Sequence, residues 1–449
     1  MASFKINREK HLTPLILLAI FSFSFLSILL TQHLLLPFLY SSEQLVGGFI
    51  LSMDGYGYHL QALEMAEKIE KDGWQIWRLK PLGQFPVGIR AGFYVLFGPS
   101  QYPVIFFQAI VHTLSGFCLF KIAQELIPTR PLHCWVSMLF FIIFPFPLMW
   151  LTQFLKDGVP TLGFFLIILG TLRLIEAKPF SARKSLSIFT LINLGVFLVL
   201  STRPYWKPVL TVHLGFLLVC YSALLLRFWK RNPELKINHL AAFFIILLSI
   251  ALVNLPKPML IESLSDQGTQ PAHPYIRKAN QTFKWEETSE LGSIDVVAKN
   301  VALTRYYSTE TEPGDTAIDS DVILNSFVEL ISYLPKALWI SVAAPFPYLW
   351  LPPPAERLIF FLEMLTYYLG ILGALNYLSK HPVNYKANYL VFFALSNTTL
   401  LAVIFPNQAT FHRMRYPFFS VLLVLGVLAL LHSRKPCNMT RCARKSGTN

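Results

Sequence analysis

The chain has 449 residues, 54% of them hydrophobic and 14% charged, with a formal net charge of +13. Its apolar runs reach bilayer-spanning length again and again, which excludes a soluble globular protein of this size. Basic residues flanking membrane spans account for the positive charge, so no nucleic-acid partner is expected.

Continuous rather than alternating apolar runs select helices over a closed barrel. The expected fold is therefore an all-α polytopic membrane protein with about ten crossings, at most about twelve. Of the five cysteines, Cys118, Cys134 and Cys220 lie in apolar runs, and Cys437 and Cys442 lie in the tail. No disulfide framework or zinc site follows from that placement. The histidines lack metal spacing and no Walker or GxGxxG loop is present, so neither a metal nor another cofactor is expected.

Lys5, Arg8 and Lys10 precede the first run, Leu12 to Leu39. The positive-inside rule makes it an uncleaved anchor with a cytoplasmic N-terminus. Residues 41–101 then form an outer loop. Within it, Met53 to Trp74 carries Tyr58, Ala62, Met65, Ala66 and Ile69 at helical spacing on one face. Gln61, Glu64, Glu67, Lys68 and Lys71 occupy the other. Such a helix, followed by Trp74 and Trp77, is expected to lie in the lipid interface. The short apolar piece Val87 to Phe97 has the same expectation.

Span two is expected over Pro103 to Leu126 and span three over Cys134 to Leu151, exiting at Lys156-Asp157-Gly158. Span four begins at Val159 and ends among Arg173, Lys178, Arg183 and Lys184, a cytoplasmic signal. Span five, Leu186 to Leu200, exits at Arg203. Span six returns to Arg227, Lys230 and Arg231, and span seven covers Leu240 to Leu255. Residues 1–255 make an N-terminal membrane module, and residues 256–326 a polar extracytoplasmic loop large enough to be a subdomain.

Residues 327–356 are ambiguous. Val322 to Trp350 is apolar, but Pro335, Pro345, Pro347 and Pro352 to Pro354 interrupt it. Lys380, Lys386 and the basic tail 434–449 all fall in the cytoplasm only if this segment does not cross. It is expected to be re-entrant or interfacial. Residues 357–433 complete a C-terminal membrane module, with both termini cytoplasmic.

This topology gathers Asp54, Lys156, Asp157, Arg203, Arg413 and Arg415 on one outer surface. Cations so placed suit an anionic headgroup, with arginines forking onto phosphate oxygens. Each residue also has a structural role open to it. Asp54 and Asp157 are placed to cap helices, and Arg203 and Arg413 to snorkel to lipid phosphates. Glu363 lies more than a turn inside its span and requires a partner, for which an outer basic residue is expected.

The pattern D-x-x-x-Y-x-x-x-A, from Asp54 through Tyr58 to Ala62, resembles the first outer loop of GT-C glycosyltransferases. The closest type is family 39, which uses polyprenyl-phosphate sugars and includes protein mannosyltransferases and the lipid A aminoarabinose transferase. Phe85-Pro86-Val87 to Phe97-Gly98, Pro145 to Asp157 and Phe405 to Pro417 are similar to later stretches of that family. The resemblance implies a bacterial inner-membrane enzyme making envelope glycans from a polyprenyl-phosphate-linked sugar donor. It implies Asp54 as catalytic base and Lys156, Asp157, Arg203, Arg413 and Arg415 around the lipid phosphate, with Tyr58, His59 and Glu363 in support. Protein mannosyltransferases carry Asp-Glu where this chain has Asp54-Gly55, which directs the expectation to a lipid or glycan acceptor.

The chemistry agrees with the residue types. An attacking hydroxyl needs a base within hydrogen-bond reach, and fixed cations stabilise a departing phosphate. The alternatives are an O-antigen polymerase or ligase, with its working residues in 256–326, and a lipid-linked saccharide transporter, which requires repeat symmetry.

Overall fold

A computed structural model describes residues 2–51, 53–128, 130–175, 181–228, 233–254, 298, 301–306, 317–324, 326–349 and 356–432. The apolar N-terminal run gives α1 (Ala2–Leu30), which passes through a π-helical turn (Thr31–Leu35) into α2 (Leu36–Leu39). A two-residue-stranded hairpin follows, β1 (Leu45–Val46) paired antiparallel with β2 (Phe49–Ile50). Gly47 and Gly48 form its turn with φ of 58° and 83°, the left-handed values a tight hairpin needs. The amphipathic stretch becomes α3 (Asp54–Asp72), and the short apolar piece α4 (Phe85–Phe97) packs against it.

The membrane helices come next: α5 (Tyr102–Leu126), α6 (Pro131–Ile143), α7 (Pro145–Gln153), α8 (Gly158–Leu174), α9 (Ala182–Thr202), α10 (Lys207–Phe228) and α11 (Pro233–Asn254). The C-terminal part holds α12 (Phe327–Ala343), α13 (Glu356–Lys380), α14 (Tyr385–Ile404), α15 (Gln408–Met414) and α16 (Tyr416–His432).

Helix α8 sits at the centre, buried on nearly every face and packed between α5 and α9. Glycines permit the close crossing. A Cβ at Gly163 would stand 2.7 Å from the Gly195 carbonyl oxygen, and one at Gly195 2.5 Å from that of Gly163. Small residues at a crossing bring backbones into direct van der Waals contact, which is how apolar helices associate without a hydrophobic driving force. The α13–α16 crossing repeats this with Gly373 against Gly426, where a Cβ would lie 2.5 Å from Cα. Apolar side chains point outward elsewhere: Leu15 and Leu18 on α1, Val212 and Val219 on α10, and Leu369 and Leu372 on α13 are all exposed. Such faces need a hydrocarbon solvent. The chain is an all-α membrane protein.

Among the described residues, five helices are long and apolar enough to cross a bilayer: Pro14–Leu39, Tyr102–Leu126, Ala182–Thr202, Pro204–Leu226 and Tyr385–Ile404. The expectation of about ten crossings also counted shorter apolar runs as spans, and left out Val87 to Phe97 and Val322 to Trp350. Gly158–Leu174, Leu240–Asn254 and Tyr416–Leu431 are apolar but no longer than 17 residues, about 26 Å at 1.5 Å per residue.

Span three is corrected. It breaks at Phe144-Pro145 into α6 and α7, bent by 52°, because Pro145 and Pro147 remove helical donors where the run would continue. The bent pair counts as a sixth span if taken as one. The ambiguous stretch gives α12, 17 residues with Pro335 inside and not among the candidate spans. Most of the expected loop 256–326 and the whole tail 434–449 lie outside the described residues.

Candidate functional site

Met53 is extended (φ −110°, ψ 152°), and Asp54 is the first residue of α3. The N-cap position falls on Met53, which has no capping side chain, and Asp54 serves the helix as an acid in the first turn that suits its dipole. Asp54 Oδ2 instead faces Arg413 Nη1 at 3.6 Å, and the side chain remains about half exposed, at 53%. Gly55 allows this placement. A Cβ there would lie 2.7 Å from the Gln153 carbonyl oxygen, so the start of α3 rests directly on the end of α7. That contact gives a physical reason for glycine at this position.

The end of α7 is itself strained. Phe154 is buried with φ 49° and ψ 54°, a left-handed conformation uncommon for a bulky residue. The turn it makes sets Lys156 and Asp157 at the entry to α8. Asp157 occupies the N-cap position of α8 but makes no side-chain cap. Oδ1 of its carboxylate accepts from Arg203 Nη2, and Oδ2 faces Arg413 Nε at 3.2 Å. Arg203, at the end of α9, also donates to the Tyr205 hydroxyl and is only 5% exposed. It is held inside the protein by its carboxylate and does not snorkel.

Lys156 lies over the Tyr58 ring, 5.6 Å from its centroid. Burial, then the nearby Arg203, brings the Lys156 ammonium down to about 8. Burial, followed by Asp54, raises the Tyr58 phenol, while Arg413 and Arg203 pull the other way. The group thus joins α3, the α7–α8 turn, the end of α9 and α15. It holds three cations, Lys156, Arg203 and Arg413, against two carboxylates, Asp54 and Asp157. Among the described residues, one cation is left over to meet an anion. The arrangement can present a carboxylate oxygen beside an anion-stabilising guanidinium, the requirements for deprotonating a hydroxyl next to a phosphate.

Arg415 does not join this group, contrary to expectation. It is 1% exposed and faces inward. Its Nη1 donates to the Ser341 carbonyl at 3.2 Å, its Nη2 to His412 Nδ1 at 3.0 Å, and the guanidinium lies 4.4 Å from the Tyr367 ring centroid. His412 Nε2 in turn meets Glu363 Oε2 at 2.9 Å. The partner of Glu363 is therefore His412, with Arg415 behind it, and this knot is sealed. His59 also points away from Asp54, toward Tyr94.

Several residues absent from the sequence-derived set organise the site. Gln153, fully buried at the end of α7, accepts from Ile50 N at 2.9 Å and donates to the Gly48 carbonyl at 3.1 Å, fixing the hairpin. Arg90, 1% exposed on α4, donates to the Gln153 carbonyl at 3.2 Å and sits between the rings of Phe49 and Phe154. Their signal was a polar residue inside an apolar run, where hydrocarbon surroundings demand a partner.

The crevice beside Asp157, Arg203 and Arg413 is smaller than a ligand. The fold and the charged cluster define an all-α membrane protein with a cationic patch where its helix ends meet. No protein-family model matches the chain, and neither a curated protein nor a solved structure does.

Proposed function

We propose that the protein is an integral-membrane glycosyltransferase that moves a sugar from a polyprenyl-phosphate donor to an extracytoplasmic lipid or glycan hydroxyl. The observation that carries this reading is the convergence of Asp54, Lys156, Asp157, Arg203 and Arg413 from four sequence-distant segments into one cluster with surplus positive charge. Asp54, the most exposed acid of the group, takes the proton of the acceptor hydroxyl as its oxygen bonds to the anomeric carbon. The bond from that carbon to the phosphate oxygen breaks, and the electron pair leaves with the polyprenyl phosphate. Arg413 and Lys156 stabilise the phosphate charge, while Arg203 positions Asp157, which in turn orients Arg413. The proposed setting is a bacterial inner membrane, with α3 in the outer interface, about ten crossings counting the short apolar helices, and both termini cytoplasmic.

Asp54→Asn keeps the shape and removes the base. Cells carrying it are expected to lose an envelope glycan and accumulate the lipid-linked sugar, with turnover down roughly 10²- to 10⁴-fold and protein level unchanged. A full glycan survey that comes back normal would remove Asp54 from catalysis. Side is checked separately with a cysteine at the exposed Lys71: labelling by an impermeant maleimide from the cytoplasm alone contradicts the topology.

A further inference from the structure

A cavity of about 630 Å³ opens on the other face of α3. Tyr56, His59 and Leu60 line it, roughly 140–240° around the helix from Asp54 at 100° per residue. The hairpin, the π-helical turn after α1 and the start of α5 form its other walls. Among the described residues no Lys, Arg, Asp or Glu lines it, in contrast to the cluster around Asp54.

Three polar side chains on this wall have fixed orientations. Arg90 Nη1 donates to the Tyr94 hydroxyl at 3.3 Å, so that hydroxyl's own hydrogen is free to donate to His59 Nδ1 at 2.7 Å. The second ring nitrogen of His59 then carries the hydrogen, and it has no partner among the described residues. Burial, then the Arg90 charge, lowers the pKa of His59, so the imidazole stays neutral at pH 7. Gln32 and Gln101 donate through Nε2 to the carbonyls of Gly48 at 2.8 Å and Gly47 at 2.6 Å. A carbonyl accepts only from the amide nitrogen, so the Oε1 atoms are turned away. Both Oε1 atoms are buried and without a partner, and Gln32 is 6% exposed. Those two oxygens are enclosed within the wall, so the polar group left to meet a ligand is the His59 N–H.

Aromatic surface completes the wall. Phe49 stacks on His59 with centroids 4.5 Å apart, and Tyr102 stacks on His33 at 6.0 Å. Next to the lining residues His33 and Pro37, Leu34 and Phe38 project outward, 64% and 80% exposed. The cavity therefore has an uncharged lining among the described residues, offers the His59 donor, has aromatic faces for C–H contacts, and adjoins a lipid-facing apolar strip.

We propose that this cavity is a second binding site, for an uncharged, hydroxyl-rich headgroup of glycosyl or polyol type carried on an alkyl chain. It does not rest on the role of Asp54. An anionic headgroup fits less well, because no Lys or Arg lines the cavity among the described residues and the nearby buried Arg90 is already bonded to Gln153 and Tyr94.

The test uses the full-length protein in phosphatidylcholine nanodiscs with labelled dodecyl maltoside, at concentrations below micelle formation. Saturable binding is expected, weakened at least tenfold by Leu60→Trp, which fills the cavity from its exposed rim, and by His59→Phe, which keeps an aromatic ring and removes the donor. Asp54→Asn is expected to bind within twofold of the parent. Unlabelled dodecyl phosphate is expected not to compete. Competition by free maltose at equal concentration supports the headgroup assignment and assigns the site to free saccharide, removing the alkyl chain from it. Binding untouched by both cavity variants overturns the proposal, and so does equal competition by dodecyl phosphate, which would mean chain partitioning only.

Discussion

Arg413 and Arg415 are two residues apart and belong to opposite kinds of site. Arg413, on α15, is 21% exposed and bridges two carboxylates in a cluster with a cation to spare. Arg415, just past the end of α15, is sealed with one carboxylate and one histidine in a knot that balances itself. The first arrangement needs an anion from outside; the second needs nothing. In a membrane protein a buried charge is tolerated only when paired, so an arginine's presence near a helix end says little until its counter-charge is known. The difference lies in the turn between α15 and α16, which directs adjacent side chains to opposite sides.

The largest expected effect breaks the sealed side. Arg415→Met leaves Glu363, 2% exposed, without its balancing cation. Removing one partner of a buried pair costs roughly 3–5 kcal/mol, so folded yield in detergent is expected to fall sharply. Normal yield and an unchanged melting temperature would show that the knot is not structural.

Asp157→Asn tests the open side. It strips Arg203 of its carboxylate while leaving Arg413 paired with Asp54. The pair is buried but adjoins the exposed cluster, so a loss of about 3 kcal/mol is expected, the lower end of the range for a broken buried pair. Arg413→Gln, by contrast, is expected to change thermal stability little. If the two variants melt together, the division of labour between Arg203 and Arg413 is wrong.

Gly55→Ala sharpens the geometry on which the open cluster depends. The new methyl would meet the Gln153 carbonyl at 2.7 Å, backbone that has little freedom to move. Overpacking of this kind costs about 1–3 kcal/mol. Activity is expected to fall together with melting temperature, because α3 must shift and carry Asp54 with it. A fully active, equally stable variant would show that the contact between α3 and α7 does not position the acid.

Much of this was readable in the chain, and the misses have physical causes. The run Leu12 to Leu39 and the run Pro103 to Leu126 became helices with nearly those limits, because continuous apolar sequence has one stable form in lipid. The amphipathic period from Tyr58 to Ile69 likewise gave a helix with those residues buried or half-buried. Span three failed because proline spacing, and not hydropathy, decides where a helix bends. Asp54, Lys156, Asp157, Arg203 and Arg413 do lie close together, since charges at helix ends have few places to go. Arg415 was misplaced because its partners, Glu363 and His412, are fixed by tertiary packing alone. Gln32, Gln101 and Gln153 escaped notice because a neutral amide in an apolar run carries no charge signal, although it needs partners as strictly.

The smallest effect separates the cluster's charge from its packing through one proton on Lys156. With the folded value at about 8 and an ordinary lysine near 10.4, the unfolded chain holds more protons between those values. Stability is therefore expected to rise as pH increases from about 8 to about 10, and to be lower below that window. Anion affinity should move the other way, since losing the ammonium removes the surplus cation. For one partly exposed charge the loss is about threefold, measured with a short polyprenyl phosphate between pH 7 and 9. Lys156→Arg, which does not titrate there, is expected to flatten both curves. Two curves that move in the same direction would assign the titration to another group and leave the surplus charge of the open cluster without its main support.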